Sequence, residues 1–345
     1  MLHNITIRLP EQVPPNISDE RFGINGIRVS IAWTRIFPEG TGQVNPEGVQ
    51  FYHDLFSACH AHGVEPFLTL HHFDTPLPLF EAGEFLNRDT IDAFVEYARF
   101  CFEEYAGEVT YWTTFNEIWA DATNHYIEGT FPGGEKAQLH KCFQCEHNMM
   151  LAHARAVPAF KEGGYPGKIG VIQSLEYKYP LDENDPADIA AAKNEDVLQN
   201  QLLLDATFRG DYAPDTLEIA QRLAAVSGGE LDIREEDLDI MRAAAKVNDY
   251  LGVNNYQCPS SRRMTARTTC TTMARAKRAL IASAWPAWAS ASTNRAFPPP
   301  TETGSSIPRD SSTCSCASSC NTPTTSRFSS PKMAWAIKTR SSTDS

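Results

Sequence analysis

The chain has 345 residues and a formal net charge of −13, from 30 Lys+Arg against 43 Asp+Glu. That length suits one large α/β barrel or two ordinary domains, and 42% apolar residues exclude a globally disordered chain. No apolar run approaches the ~20 residues that span a bilayer, and an acidic chain is a poor general binder of nucleic acid, so neither a membrane nor a nucleic acid is expected as partner.

In chain order, residues 1–20 match no clear pattern, and the start MLHNITIRLPEQ lacks a basic-then-apolar leader, so a cytoplasmic location is expected. Gly26 to Trp33 reads as a strand, and Val49 to Gly63 as an amphipathic helix with Phe51, Leu55, Phe56 and Cys59 at helical spacing. Val64 to Phe73 is the next strand, followed by a helix over Arg88 to Tyr105 with Asn87 as its cap. Val109 to Phe115 is a third strand, and Gln144 to Glu162 is helical. Lys168 to Leu175 is a fourth strand, followed by helices over Asn194 to Phe208 and Glu235 to Lys246. Tyr250 to Tyr256 is a fifth strand. Such β–α repeats with strands buried on both faces predict a parallel sheet, either a barrel or a doubly wound sheet. No G-x-G-x-x-G follows any strand, which weakens a dinucleotide-binding reading.

The average charge hides a split. Residues 1–257 hold 18 basic and 40 acidic side chains, a net of −22, whereas residues 258–345 hold 12 and 3, a net of +9. The last 88 residues contain 32 Ser+Thr, no Val, no Tyr and one Leu, Leu280. A segment of that composition is expected to be disordered, because it cannot supply strands or a dense apolar core. The chain therefore divides into an unmatched segment 1–20, a β/α portion 21–257 and a Ser/Thr/Arg-rich tail 258–345.

The polar residues of the β/α portion gather after its strands: His71, His72 and Asp74 after the second, Asn116 and Glu117 after the third, Asn254 and Tyr256 in the fifth. A (β/α)8 barrel places its chemistry there. A Glu at a strand end beside an apolar wall can hold a proton near neutral pH and deliver it to a leaving-group oxygen, so Glu117 is a candidate general acid. Adjacent strand residues face opposite sides, so only one of His71 and His72 should enter a pocket, and no metal pair is expected. Arg28, inside an apolar strand, needs a carboxylate or dense hydrogen bonding. His140, Cys142, Cys145 and His147 imitate a zinc string, but four ligands within eight residues of one helix cannot all turn to one ion. The cysteines show no disulfide framework.

Taken together, GINGIRVSIAWTRIFPEG, EPFLTLHHFDTP, YWTTFNE and YLGVNNY resemble glycoside hydrolase family 1, over about Arg21 to Tyr256. HHFDTP with GEFLNRDTIDAFVEYARFCFEEY resembles its 6-phospho-β-galactosidase branch. The resemblance implies a (β/α)8 TIM barrel, incomplete here because only strands two to six are recognisable. It implies retaining hydrolysis of a phosphorylated β-galactoside such as lactose 6-phosphate, and no cofactor. By motif, Glu117 matches the general acid/base and Asn116 the residue that binds the sugar 2-hydroxyl. His72 matches a glycone-binding His, Asn254 and Tyr256 match pocket residues, and Arg28 matches the Arg beside the nucleophile. Asn255 departs from the aromatic usual between those two pocket positions.

A retaining mechanism needs a second carboxylate ~5–5.5 Å from the first. The family carries it in an I/V-T-E-N-G motif, and the 345 residues contain none; the phosphate-binding Ser, Lys and Tyr of the branch are also missing. Reading the implied codons of the tail one shifted frame permits I-T-E-N-G-M-G-Y-K-D from Ser329 and further family-like strings from Trp285 and Thr303. Residues from about Cys258 onward are therefore expected to be translated out of frame, with impaired activity as the consequence. The rival expectations are another family 1 enzyme (6-phospho-β-glucosidase or β-glucosidase), a non-catalytic truncated remnant, and an unrelated barrel lyase or isomerase using Glu117 as base.

Overall fold

The computed structural model describes residues 25–255. The expectations for residues 1–24 and for 256–345, Tyr256 and the basic tail among them, lie outside these residues. Five strands form one sheet: β1 (Gly26–Ser30), β2 (Glu65–His71), β3 (Tyr111–Asn116), β4 (Lys168–Ser174) and β5 (Tyr250–Asn254). They are all parallel and lie in sequential order, β1-β2-β3-β4-β5. Sequential order removes the doubly wound alternative, in which the strand order reverses partway. The result is part of a (β/α) barrel, and among the described residues β1 and β5 are its edges.

Helices fill the connections: α1 (Trp33–Ile36), α2 (Pro46–Ala61), α3 (Leu77–Glu81), α4 (Asp89–Tyr105), α5 (Ile118–Thr123), α6 (Leu139–Glu162), α7 (Pro186–Asp196), α8 (Leu202–Phe208), α9 (Pro214–Val226) and α10 (Glu235–Ala245). The first expected strand is shorter than read, because Trp33 turns into α1 and buries its ring against the stacked Tyr97, 5.0 Å away. Helix α2 starts at Pro46 rather than Val49: the Asn45 side chain accepts from the Glu47 amide at 3.2 Å, and proline suits the first helical position. Helix α4 begins at Asp89 with Arg88 in the cap position, one residue later than expected, and Asn87 supports the entry from just before it, its Oδ1 accepting from the Asp89 amide at 3.0 Å. Helix α6 begins at Leu139, five residues before the expected Gln144, and its added turn buries Leu139, Cys142 and Phe143. The expected helix over Asn194 to Phe208 is α7, a π-helical turn at Val197–Gln201 and α8 in succession.

The core lies between the sheet and these helices. Phe94 stacks on Phe115 at 4.4 Å, and the Phe102 ring meets Trp112 edge-on at 5.1 Å. This aromatic layer joins α4 to β3 and forms the wall behind the strand ends that carry the polar residues.

Candidate active site

Arg28 on β1, Asn116 at the end of β3 and Asn254 at the end of β5 come together across the sheet. Arg28 Nη2 donates to Asn116 Oδ1 at 2.7 Å. Asn254 Nδ2 donates to the same oxygen at 3.2 Å and also to Glu117 Oε1. An amide oxygen accepts two bonds and an amide nitrogen donates two, so each group is used in full. The array fixes the Glu117 carboxylate relative to both neighbouring side chains. Asn116 and Glu117 are buried.

Local backbone explains how β3 delivers both residues to one mouth. The pairing of β3 with β4 shifts register between Thr113 and Asn116. Across the shift, Thr114 Oγ1 lies 2.8 Å from His153 Nδ1 on α6, while Phe115 packs on Phe94 of α4. Two successive residues thus face the helical layer, and the alternation resumes with Asn116 on the opposite face. Such irregularities re-aim side chains beside active sites. Glu117 then takes φ +50, a left-handed conformation uncommon for a side chain of its size. Its amide donates to the Ile172 carbonyl at 2.7 Å, and its own carbonyl accepts from Asp121 as α5 begins. Strain of this kind persists only where surrounding bonds over-determine it.

His71 and His72 separate as the strand period requires. His72 Nδ1 lies 3.4 Å from Ser30 Oγ on the mouth side. Burial, reinforced by the Arg28 charge, lowers its pKa from the ordinary histidine value. Asp74 holds the turn, accepting from the His72 amide at 3.0 Å and the Trp33 amide at 3.2 Å. His71 is fully buried on the other side, with Trp33, Phe85 and Phe115 around it. Its Nε2 is 3.0 Å from Thr75 Oγ1, which in turn donates to Glu84 Oε1 at 3.0 Å.

The zinc-like string on α6 diverges. His140 bonds Ser227, Cys142 faces Glu146 and Thr123, and His147 bonds Tyr212 and Asp237. Among the described residues, the group whose ligand atoms converge is instead Glu84, Asp121 and His125. Sequence reading missed it. The i,i+4 spacing of Asp121 and His125 was the available signal, and Glu84 lies 37 positions before Asp121. Burial, then the neighbouring Asp121 charge, raises the pKa of Glu84 above that of an ordinary carboxyl.

Comparison with known proteins places this geometry. Residues 16–303 match the sequence model of glycosyl hydrolase family 1, a span that crosses the compositional boundary at 257/258. The chain is 55% identical over 237 residues to a 6-phospho-β-galactosidase of Staphylococcus haemolyticus, covering 69% of this chain and 50% of the relative. It is 54% identical over 252 residues to a 6-phospho-β-galactosidase of Streptococcus mutans, covering 73% of this chain and 54% of the relative. Among solved structures, the family 1 β-glucosidase of Thermotoga maritima superposes with a TM-score of 0.61 at 34% identity, over 69% of this chain and 51% of that one. The psychrophilic β-glucosidase of Micrococcus antarcticus superposes with 0.62 at 35% identity, over 69% and 48%. The chain thus spans about half the length of the curated relatives it matches. With the match extending over most of its residues, the chain belongs to glycosyl hydrolase family 1.

Proposed function

We propose that the chain derives from a retaining 6-phospho-β-galactosidase and carries the acid/base half of that site. The observation that carries the reading is the hydrogen-bonded array Arg28–Asn116–Asn254–Glu117 at the strand ends, within the region 55% identical to named 6-phospho-β-galactosidases. Glu117 is the general acid/base that protonates the glycosidic oxygen. Asn116 holds the sugar 2-hydroxyl, and His72, half-buried beside Ser30, holds the glycone. Asn254 and Tyr256 complete the pocket, and Arg28 supports the carboxylate region. The substrate is a small phosphorylated disaccharide of the lactose 6-phosphate kind, supplied by sugar import and used in the cytoplasm. No described helix is long and apolar enough to cross a membrane.

The second half of a double displacement needs a nucleophilic carboxylate ~5–5.5 Å from Glu117. No I/V-T-E-N-G motif is present in the 345 residues. We assign residues 21–257 to the barrel portion and 258–345 to an out-of-frame segment, so that Glu117 has no partner of that motif in this chain. Turnover of a nitrophenyl 6-phospho-β-galactoside by the 345-residue product is expected to fall orders of magnitude below that of an intact family member, and comparable turnover overturns the reading. Any residual turnover is expected to favour the 6-phosphogalactoside over nitrophenyl β-glucoside, because identity to the phospho-enzymes exceeds that to the β-glucosidases. Resequencing the gene across codons 255–345 tests the frame: a single-base gap near codon 257 supports the assignment, and an intact frame refutes it.

A further inference from the structure

On the side of β2 away from Glu117, three buried side chains from separate segments converge. Glu84 comes from the single turn before α4, Asp121 from α5, and His125 from the π-helical turn Asn124–Glu128. One ligand atom of each lies within 4.8 Å of the others. Their residues are 3%, 1% and 6% exposed, so water does little to screen them from one another. His125 Nε2 stands 3.3 Å from Asp121 Oδ1 and 3.5 Å from Glu84 Oε1. Those separations exceed the ~2.9–3.0 Å common for an N–H···O bond. They match the edge of a coordination tetrahedron: donors each about 2.0–2.1 Å from zinc lie about 3.3–3.4 Å apart.

The proton wiring points the same way. The Pro132 carbonyl, 3.1 Å from His125 Nδ1, can only accept, so Nδ1 carries a proton, and a cation that takes the place of any Nε2 proton meets a lone pair aimed between the carboxylates. Thr75 gives its hydroxyl proton to Glu84, so His71 Nε2 must donate to Thr75 Oγ1. A neutral His71 then presents the Nδ1 lone pair to Asp121 Oδ2, 3.7 Å away. Neither Asp121 oxygen, nor His71 Nδ1, has a hydrogen-bond partner, although all three atoms are shut off from solvent. Acceptors facing acceptors in a buried space call for a positive centre between them. Tyr126 fixes the remaining Glu84 oxygen, donating to Oε2 at 3.3 Å.

We propose that Glu84, Asp121 and His125 hold one divalent cation, zinc before manganese, with His71 Nδ1 beside it as a further donor. One imidazole nitrogen and two carboxylate oxygens suit those ions. The site is structural. It clamps the turn after β2 to α5, and the Asp121 amide donates to the Glu117 carbonyl at 3.1 Å, so the cation fixes the segment that sets the Glu117 backbone. The metal-free rival supplies protons instead: an imidazolium at His125 faces Asp121 and Glu84, or Glu84 is protonated and donates to Thr75, Thr75 to His71, and His71 to Asp121.

The test uses the full chain, stripped with EDTA and titrated with ZnCl2, then MnCl2, by calorimetry and by thermal unfolding. The expected result is one equivalent of Zn2+ per chain and a rise in the unfolding midpoint. Asp121→Asn and His125→Gln are expected to weaken Zn2+ binding at least tenfold, while His53→Gln, at a half-buried His–Glu cluster elsewhere, leaves it unchanged. Absence of saturable Zn2+ binding by the parent chain overturns the proposal even if the variants do not fold. Binding that survives His125→Gln but is lost in His53→Gln overturns it equally.

Discussion

Two polar regions sit back to back at the ends of the strands, and the neighbours His71 and His72 belong one to each. In the mouth region, Arg28, Asn116, Glu117 and Asn254 form one hydrogen-bonded array, with His72 against Ser30. In the rear region, His71, Thr75, Glu84, Asp121 and His125 face one another, with Tyr126 and the Pro132 carbonyl as the outside partners of Glu84 and His125. Both regions are buried at their centres, so the difference lies in hydrogen bonding: the mouth amides and carboxylate are tied to one another, whereas both Asp121 oxygens and His71 Nδ1 in the rear have no hydrogen-bond partner. In the rear, a buried group without a partner must find a proton or a cation inside the protein.

The wall between the regions should govern the largest effect. Phe115 separates them, touching His71, Phe85 and Phe94. Phe115→Ala is expected to cost about 3–5 kcal/mol, since a fully buried ring is lost and the surrounding aromatics collapse only partly. Urea denaturation measures it. A loss near 1 kcal/mol would mean the two regions do not depend on a common wall. Acid comes next. Burial pushes the pKa of His153, behind β3, down to about 3. Between about pH 6.5 and that value the unfolded chain binds the proton and the folded chain does not, so stability falls as pH falls. One pH unit is ~1.4 kcal/mol for a single group, so about 2 kcal/mol should vanish between pH 6.5 and 5. His153→Gln, which can still bond Thr114, should flatten that slope; an unchanged slope assigns the acid sensitivity to other groups.

The same contrast governs what could be read from the sequence. Every mouth residue lies on a strand or directly after one, and the alternation of β2 alone predicted that His71 and His72 would part company. The strands β2 and β4 were legible as apolar runs wide enough to be buried on both faces. The rear cluster was not legible, because three distant segments build it and no one of them carries a motif. Helix α9 escaped because the alanines of PDTLEIAQRLAAV dilute its apolar stripe. The first turn of α6 escaped because its Cys and Phe become core only once α5 and its neighbours cover them. The register shift in β3 was also invisible, since it depends on what Thr114 and Phe115 each find in the helical layer.

Glu117 offers a smaller effect with a sharper meaning. Its φ of +50 is set by the needs of the mouth rather than by the chain's own preference. Asn tolerates that conformation better, so Glu117→Asn relieves strain of about 1–3 kcal/mol while losing the Asn254 bond, worth about 1 kcal/mol. The unfolding midpoint is expected to hold or rise, and any residual glycosidase turnover should disappear. A clear drop in stability would show that the carboxylate serves the fold more than the mouth.

The smallest effect concerns the sign of two histidine titrations. His72 faces the Arg28 charge in the mouth, and burial with that charge lowers its pKa. His53, on the outer surface of α2, is opposed by burial but bonded at both ring nitrogens, to Glu108 at 2.5 Å and to Glu104 at 2.9 Å, which raises its pKa. Following both imidazoles by NMR should place His72 below and His53 above the ordinary value near 6.5. The signs have opposite consequences for stability. The depressed His72 contributes fully above its unfolded value, and that contribution declines as pH falls toward its folded one. The raised His53 contributes below its unfolded value and loses that contribution as pH rises through its folded one. His53 is partly exposed, so solvent screening keeps its share to a few tenths of a kcal/mol. Removing the Arg28 charge with Arg28→Met should move His72 upward and leave His53 where it is. Movement of both would trace the shift to the net charge of the molecule, and movement of neither would leave burial alone responsible in the mouth.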